Sequence, residues 1–151
     1  MRLVDRVRLV PSAKSKRVPR TSAVAGSLNM RSQVETVEFQ SSIERDFAIL
    51  CDFAPEVNHI RWQPFSIEFR DLVSDKTRTY TPDYLVETTS RRGERYSYIA
   101  EIKRYREYSR IYEADPVGEA SRAHIAAMEW ARAQPLSEMV VCEPLKFVSG
   151  Q

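Results

Sequence analysis

Several features are scarce in this chain, and each scarcity excludes something. No apolar run approaches the ~20 residues that a membrane-spanning helix needs, and the N-terminus has no apolar core of a secretory signal. The two cysteines, Cys51 and Cys142, lie far apart in apolar segments with no CxxC partner, so a disulfide framework or zinc site has little support. Both read as reduced core residues, and a cytoplasmic protein without membrane association is expected. The two histidines, His59 and His124, read as a loop residue and an interior helix residue. There is no internal repeat and no low-complexity domain. What remains is 151 residues with 42% hydrophobic content, enough for one domain with a sizeable core.

Net charge is small, but its distribution is uneven. The net charge is +2, yet Met1 to Arg20 holds seven Lys or Arg, among them Lys14, Lys16 and Arg17, against the single Asp5. Residues 1–30 are expected to be a basic, irregular arm, suited either to a DNA phosphate backbone or to keeping the chain soluble. Within it, Leu3 to Val10 reads as a short strand or as a segment that binds along a partner. Gln33 to Phe39 alternates weakly as another. Ser41 to Glu44 then fits the S-x-x-E capping box, and Ile43, Phe47, Leu50 and Cys51 recur on one face, predicting a helix from Ser42 to Asp52 that Pro55 ends. Arg61 to Arg70 alternates as one strand burying Gln63, Phe65, Ile67 and Phe69. After a turn at Asp71 to Lys76, a return strand through Tyr80 continues into a hairpin, making a three-stranded meander.

That hairpin, YTPDYLV and YSYIAEIK around a Ser-Arg-Arg-Gly turn, organises the chain. Placing Asp83 opposite Glu101 puts the centre of symmetry at Arg92, beside Gly93, where composition independently puts the turn. Alternation then sets Lys103 on the face of Glu101 and turns Ala100 and Ile102 into the core. Two carboxylates and an ammonium converge. Hard oxygen ligands of this kind suit Mg2+, with Mn2+ as a substitute, and such cations support phosphodiester hydrolysis. Lys103 would orient the attacking water or stabilise charge on phosphate. The plain alternatives are a solvated hairpin face with cross-strand charge pairs, and for Asp83 a pairing with Arg78.

After Lys103 comes a basic and aromatic run, RYREYSRIY, in which Arg104, Arg106 and Arg110 are placed to grip phosphate, or else form a solvated segment. Asp115-Pro116 resembles a helix start, and Ala120, Ala123, His124, Ala127, Met128 and Ala131 make a small-residue stripe of a helix running to Ala133. Met139 to Cys142 is a buried strand. A helix between strands predicts a crossover with one parallel pair, hence an α/β fold with a mixed sheet.

Pro82-Asp83 followed by Glu101-Ile102-Lys103 resembles the PD-(D/E)xK nuclease superfamily, which implies a restriction-endonuclease-like mixed sheet flanked by helices. The longer run SSIERDFAILCDFAPEVNHIRWQPFSIEF, then YTPDYLV and YIAEIK, resembles the N-terminal catalytic domain of TnsA-type transposon endonucleases over Ser27 to Cys142. The resemblance implies Glu44, Asp83 and Lys103 as the active site of a Mg2+- or Mn2+-dependent enzyme that cuts one DNA strand at a transposon end. Glu101 stands where the best-known transposon enzyme has an amide, and it would add a metal ligand beside Asp83 and Glu44. Glu44 also reads as the reciprocal glutamate of the capping box, and Gln63, in the family's QP block, as either a cleft-facing or a buried amide. Residues 31–151 are expected to be one nuclease-like domain, without the C-terminal domain that engages a transposase partner. DNA, and a transposase-like or phage-assembly protein or a second copy of the chain, are the expected partners. A non-catalytic DNA-binding or assembly subunit, as in a transpososome or virion, and a stand-alone structure-selective resolvase are the alternative functions.

Overall fold

The central hairpin has the register that the Asp83 and Glu101 alignment requires. In the computed structural model, which describes residues 1–13, 25–134 and, as backbone alone, 137–142, strands β7 (Tyr84–Thr89) and β8 (Arg95–Ile102) pair antiparallel. Tyr84 lies opposite Ala100 and Thr89 opposite Arg95, and one further step of the same register sets Asp83 opposite Glu101. Gly93 turns the chain at φ 82°, a left-handed conformation that only glycine adopts without strain. Strand β4 (Val57–Trp62) flanks β7 antiparallel, and β9 (Ser137–Cys142) joins β8 in parallel, giving the order β4-β7-β8-β9. The expected parallel pair is present, reached through helix α3 (Glu119–Ala133). The side chain of Cys142 is outside the described residues, whereas Cys51 is buried and in no disulfide.

The expected meander is replaced by two sheets. The single strand proposed over Arg61 to Arg70 breaks at Gln63, whose φ of 42° reverses the local handedness ahead of Pro64. Only β4 stays with the hairpin; β5 (Ser66–Asp71) pairs with β6 (Lys76–Tyr80) in a separate antiparallel sheet. Ile67 and Phe69 are buried as alternation requires, but Gln63 and Phe65, beyond the break, are only partly buried. The expectation of an irregular arm also fails in part. Strand β1 (Val4–Val10) is the third member of the second sheet, and β2 (Gly26–Leu28) pairs with β3 (Val37–Phe39). Val4 is fully buried, while Arg8 turns outward to Glu68 at 2.7 Å, so the basic residues of β1 edge a folded sheet. Lys14, Lys16 and Arg17 lie outside the described residues.

Helix α1 (Ser42–Phe53) begins where the capping box predicts, with the Ser41 hydroxyl accepting the Glu44 N–H at 3.2 Å. Its apolar face, Phe47, Ala48 and Cys51, packs on Ile60, Tyr84, Val86, Ala100 and Ile102 of the first sheet. Helix α3 begins later than Asp115-Pro116 suggests. Those residues form a turn closed by the Gly118 N–H on the Asp115 carbonyl at 3.1 Å, and Gly118 is the cap. A Cβ at Gly118 would meet Asp115 Oδ2 at 2.4 Å, so a larger residue there would have to displace that exposed side chain. The small-residue stripe is real but shifted: Ala123, Ala126, Ala127 and Ala131 are buried, Ala120 is partly buried, and Met128 is 36% exposed. Small side chains let α3 approach both sheets, so Ala127 touches Ile67 of β5 and Ile99 of β8 in one cluster. That contact ties the second sheet to the first.

A buried ion network reinforces the same joint. Asp71, fully buried at the end of β5, accepts from Arg122 of α3 and Arg78 of β6, each at 2.8 Å. Burial alone would raise its pKa, but these two guanidinium groups and the N–H groups of Val73 and Ser74 hold it well below the usual carboxylate range. Asp71→Ala is expected to cost about 3–5 kcal/mol by stranding two arginines, read as a lowered urea midpoint. His124, buried on α3 between Tyr80 and Tyr112, has its pKa lowered to about 4 by burial and, secondarily, by Lys103. Its contribution to stability is therefore complete above the unfolded pKa near 6.5 and is lost as pH falls towards 4. We expect His124→Phe to remove on the order of 3 kcal/mol of that pH dependence, measured as the wild-type minus variant difference in urea unfolding at pH 7 and pH 4.5.

Candidate active site

Proline starts the site. The chain leaves β6 at Tyr80, crosses between the sheets through Thr81 and the fully buried Pro82, and enters β7 after Asp83. Proline has no N–H to continue the ladder. At this rung the Ile102 N–H instead donates to the Asp83 carboxylate, at 2.7 Å to Oδ2, while the Asp83 carbonyl accepts from Gln63 N–H at 2.8 Å. The aspartate is thereby held at the base of the hairpin. It does not pair with Arg78, which is engaged by Asp71 and Glu119.

Glu101 is 7% exposed, on the face that alternation predicts, with Ala100 and Ile102 turned into the α1 core. One of its oxygens, Oε2, accepts from the Tyr80 hydroxyl, and the other, Oε1, lies 3.6 Å from Lys103 Nζ. The ammonium also reaches Glu107 at 3.7 Å; at 25% side-chain exposure it sits nearer to solvent than Glu101, at 9%. Glu44 comes from the first turn of α1. Its side chain accepts from the Ser41 hydroxyl at 3.2 Å, so the capping interaction is present, and its charge is also felt at Asp83 and Glu101. The helix cap and the approach to the site coexist in one residue.

Electrostatically the site holds more negative charge than it can offset. Burial, then the charge of Glu101, raises the pKa of Asp83 to about 8. Burial likewise raises Glu101, against hydrogen bonds from Tyr80 and Lys103, and raises Glu44. Trp62 lowers Glu44 somewhat, its buried indole N–H directed there without a hydrogen bond of normal geometry. Three desolvated carboxylates and one ammonium form an environment that a hard divalent cation would relieve, and oxygen donors are the correct type for one. Among the described residues no three Asp, Glu, His or Cys side chains close into a ready-made metal cluster. The donor set that fits is therefore the facing pair Asp83 and Glu101, with Glu44 behind them at its cap.

The other sequence-derived residues divide. Arg104, Arg106 and Arg110 are exposed and follow Lys103 through α2 (Tyr105–Tyr108) into a π-helical turn (Ser109–Glu113). Gln63 is partly buried at the sheet break, where its backbone serves Asp83. His59, expected in a loop, lies on β4 with Nε2 at 3.2 Å from Glu35, away from the carboxylates. His124 is interior as expected. Two residues escaped the sequence reading, Tyr80 and Tyr112. Tyr112 stacks on His124 at 4.0 Å, and the charges of Glu101 and Asp83 add to burial in raising its pKa. Neither tyrosine belongs to a spacing that marks a site. The only available signal was the position of Tyr80 beside the proline that switches sheets.

No helix among the described residues is long and apolar enough to cross a membrane. No curated protein and no solved structure matches the chain. A family model does: TnsA-like endonuclease N terminal, over residues 54–136, more than half of the chain. That stretch contains Gln63, Asp83, Glu101, Lys103 and the arginines of α2 and the π-helical turn, and it begins after α1, so Glu44 stands on the geometry alone. The mixed sheet flanked by helices is accordingly a restriction-endonuclease-like α/β fold, and the chain belongs to the TnsA-like endonuclease N-terminal family.

Proposed function

We propose that this protein is a divalent-metal-dependent DNA endonuclease that nicks one strand, as a TnsA-type subunit does at a transposon end, with a transposase-like partner directing it to its site. The observation that carries the reading is the buried Asp83 and Glu101 pair, opposed across the hairpin, with Lys103 beside Glu101 at 3.6 Å. Keeping both groups ionised here is unfavourable without a cation, as the raised pKa of Asp83 reflects. Asp83 and Glu101 would hold Mg2+ or Mn2+, and the bound ion would supply an acidified water and charge neutralisation at the phosphate. Lys103, nearer to solvent than Glu101, orients the attacking water and offsets charge on the phosphoryl oxygens. Glu44, tied to Ser41, limits movement of the carboxylates by its own charge from the α1 side. Arg104, Arg106 and Arg110, exposed just beyond Lys103, hold the DNA backbone on the solvent side of the site.

Lys103→Ala is expected to lower nicking of supercoiled plasmid in Mg2+ or Mn2+ at least about a hundredfold, with EDTA abolishing wild-type nicking and circular dichroism unchanged. Nicking by the variant at the wild-type rate would remove Lys103 from the site. Wild type that binds DNA without nicking it in either metal, even with its partner present, would instead favour the assembly-subunit reading. Asp83→Asn removes the cost of keeping this carboxyl protonated in the fold, so in EDTA at pH 7 its Tm should rise above that of the wild type, while Mg2+ should stabilise only the wild type. Equal metal-induced Tm shifts in both proteins would contradict the assignment of Asp83.

A further inference from the structure

Tyr80 and Glu101 belong to different sheets. Tyr80 ends β6 in the second sheet and Glu101 lies near the end of β8 in the first, yet the phenol donates directly to Glu101 Oε2. The ring cannot readily leave this position. It packs against both apolar clusters at the α3 joint, that of Val4, Phe69, Ala123 and Ala126 and that of Ile67, Ile99 and Ala127, and it meets the edge of His124 at 5.4 Å. His124 is in turn stacked on Tyr112 at 4.0 Å.

A second buried tyrosine shows what a structural hydroxyl does here. Tyr84 is fully buried, and its hydroxyl donates to a backbone carbonyl, that of Glu38, at 2.7 Å. The hydroxyl of Tyr80 instead serves a carboxylate of the site. With Oε2 held by Tyr80 and Oε1 facing Lys103, the Glu101 carboxylate has one orientation, and each oxygen keeps a lone pair for a further partner.

We propose that Tyr80 is a positioning residue for metal binding: its hydroxyl, carried by the second sheet, fixes Glu101 opposite Asp83 so that the two carboxylates present a preformed oxygen face to a divalent cation. The inference rests on the proposed metal-dependent nuclease. It also assigns a role to the docking of the two sheets, since only their contact through α3 brings the phenol to Glu101.

The test is Mn2+ binding, followed by electron paramagnetic resonance of the free ion, in the full chain as wild type, Tyr80→Phe, Tyr84→Phe and Asp83→Asn. Tyr80→Phe keeps the ring and its packing and loses only the hydroxyl. It is expected to bind Mn2+ about tenfold or more weaker than the wild type, in the range seen when groups that orient metal ligands are removed. Tyr84→Phe should bind as the wild type does. Plasmid nicking by Tyr80→Phe should recover as Mg2+ is raised, a shift that loss of a structural hydrogen bond would not produce. Mn2+ binding by Tyr80→Phe with the wild-type midpoint, while Asp83→Asn loses it, overturns this inference and leaves the site reading intact. A wild type that takes up no Mn2+ overturns both.

Discussion

The structure depends on two carboxylates that face each other in a space where water is scarce. Asp83 and Glu101 close the base of the hairpin, and the surroundings that shield them also make their charges costly. A buried pair of like charges survives only where neighbours are fixed by stronger forces. Here the apolar cluster of α1 on one face of the hairpin and the α3 cluster on the other supply them. The Ile102 N–H, the Tyr80 hydroxyl and the Lys103 ammonium then satisfy part of the charge without neutralising it. The unsatisfied part is what a bound cation would offset on the proposed reading.

Two sheets are needed because one strand cannot present all of these groups. Along a single strand Tyr80 and Asp83, three apart, would point to opposite faces. The chain instead changes sheet at Pro82, and the phenol and the carboxylate converge on Glu101 from different layers. Helix α3 makes this possible by carrying alanines where larger residues would hold the sheets apart, and the Asp71, Arg78 and Arg122 network secures the same joint from the second sheet. Stability and site geometry therefore share one interface.

Charge is graded outward from this centre. Glu101 is buried; Asp83, Tyr80 and Lys103 are partly buried around it; Arg104, Arg106 and Arg110 are exposed. The grading matches a phosphodiester substrate, whose backbone is read at the surface and whose reacting phosphate must reach the interior. Glu44 occupies an unusual place in it. Its side chain completes the α1 cap and yet adds negative charge behind the pair, so the position of the helix and the electrostatics of the site are set by one residue.

Local chemistry by itself determined the hairpin register, the α1 cap, the shared face of Glu101 and Lys103 and the parallel crossover, because each depends on neighbours in sequence or on a period of two. The Gly93 turn and the Ser41 cap are legible for that reason. Tertiary structure alone decided the break at Gln63, the inclusion of Val4–Val10 in a sheet, the later start of α3 and the pairing of Asp71 with Arg122. Alternation runs unbroken through Trp62 to Phe69, and Pro64 marks a weak point in the ladder without showing that the strand divides between two sheets. The same holds for Tyr80, whose role exists only where β6 and β8 approach, a contact between distant segments that no periodicity records.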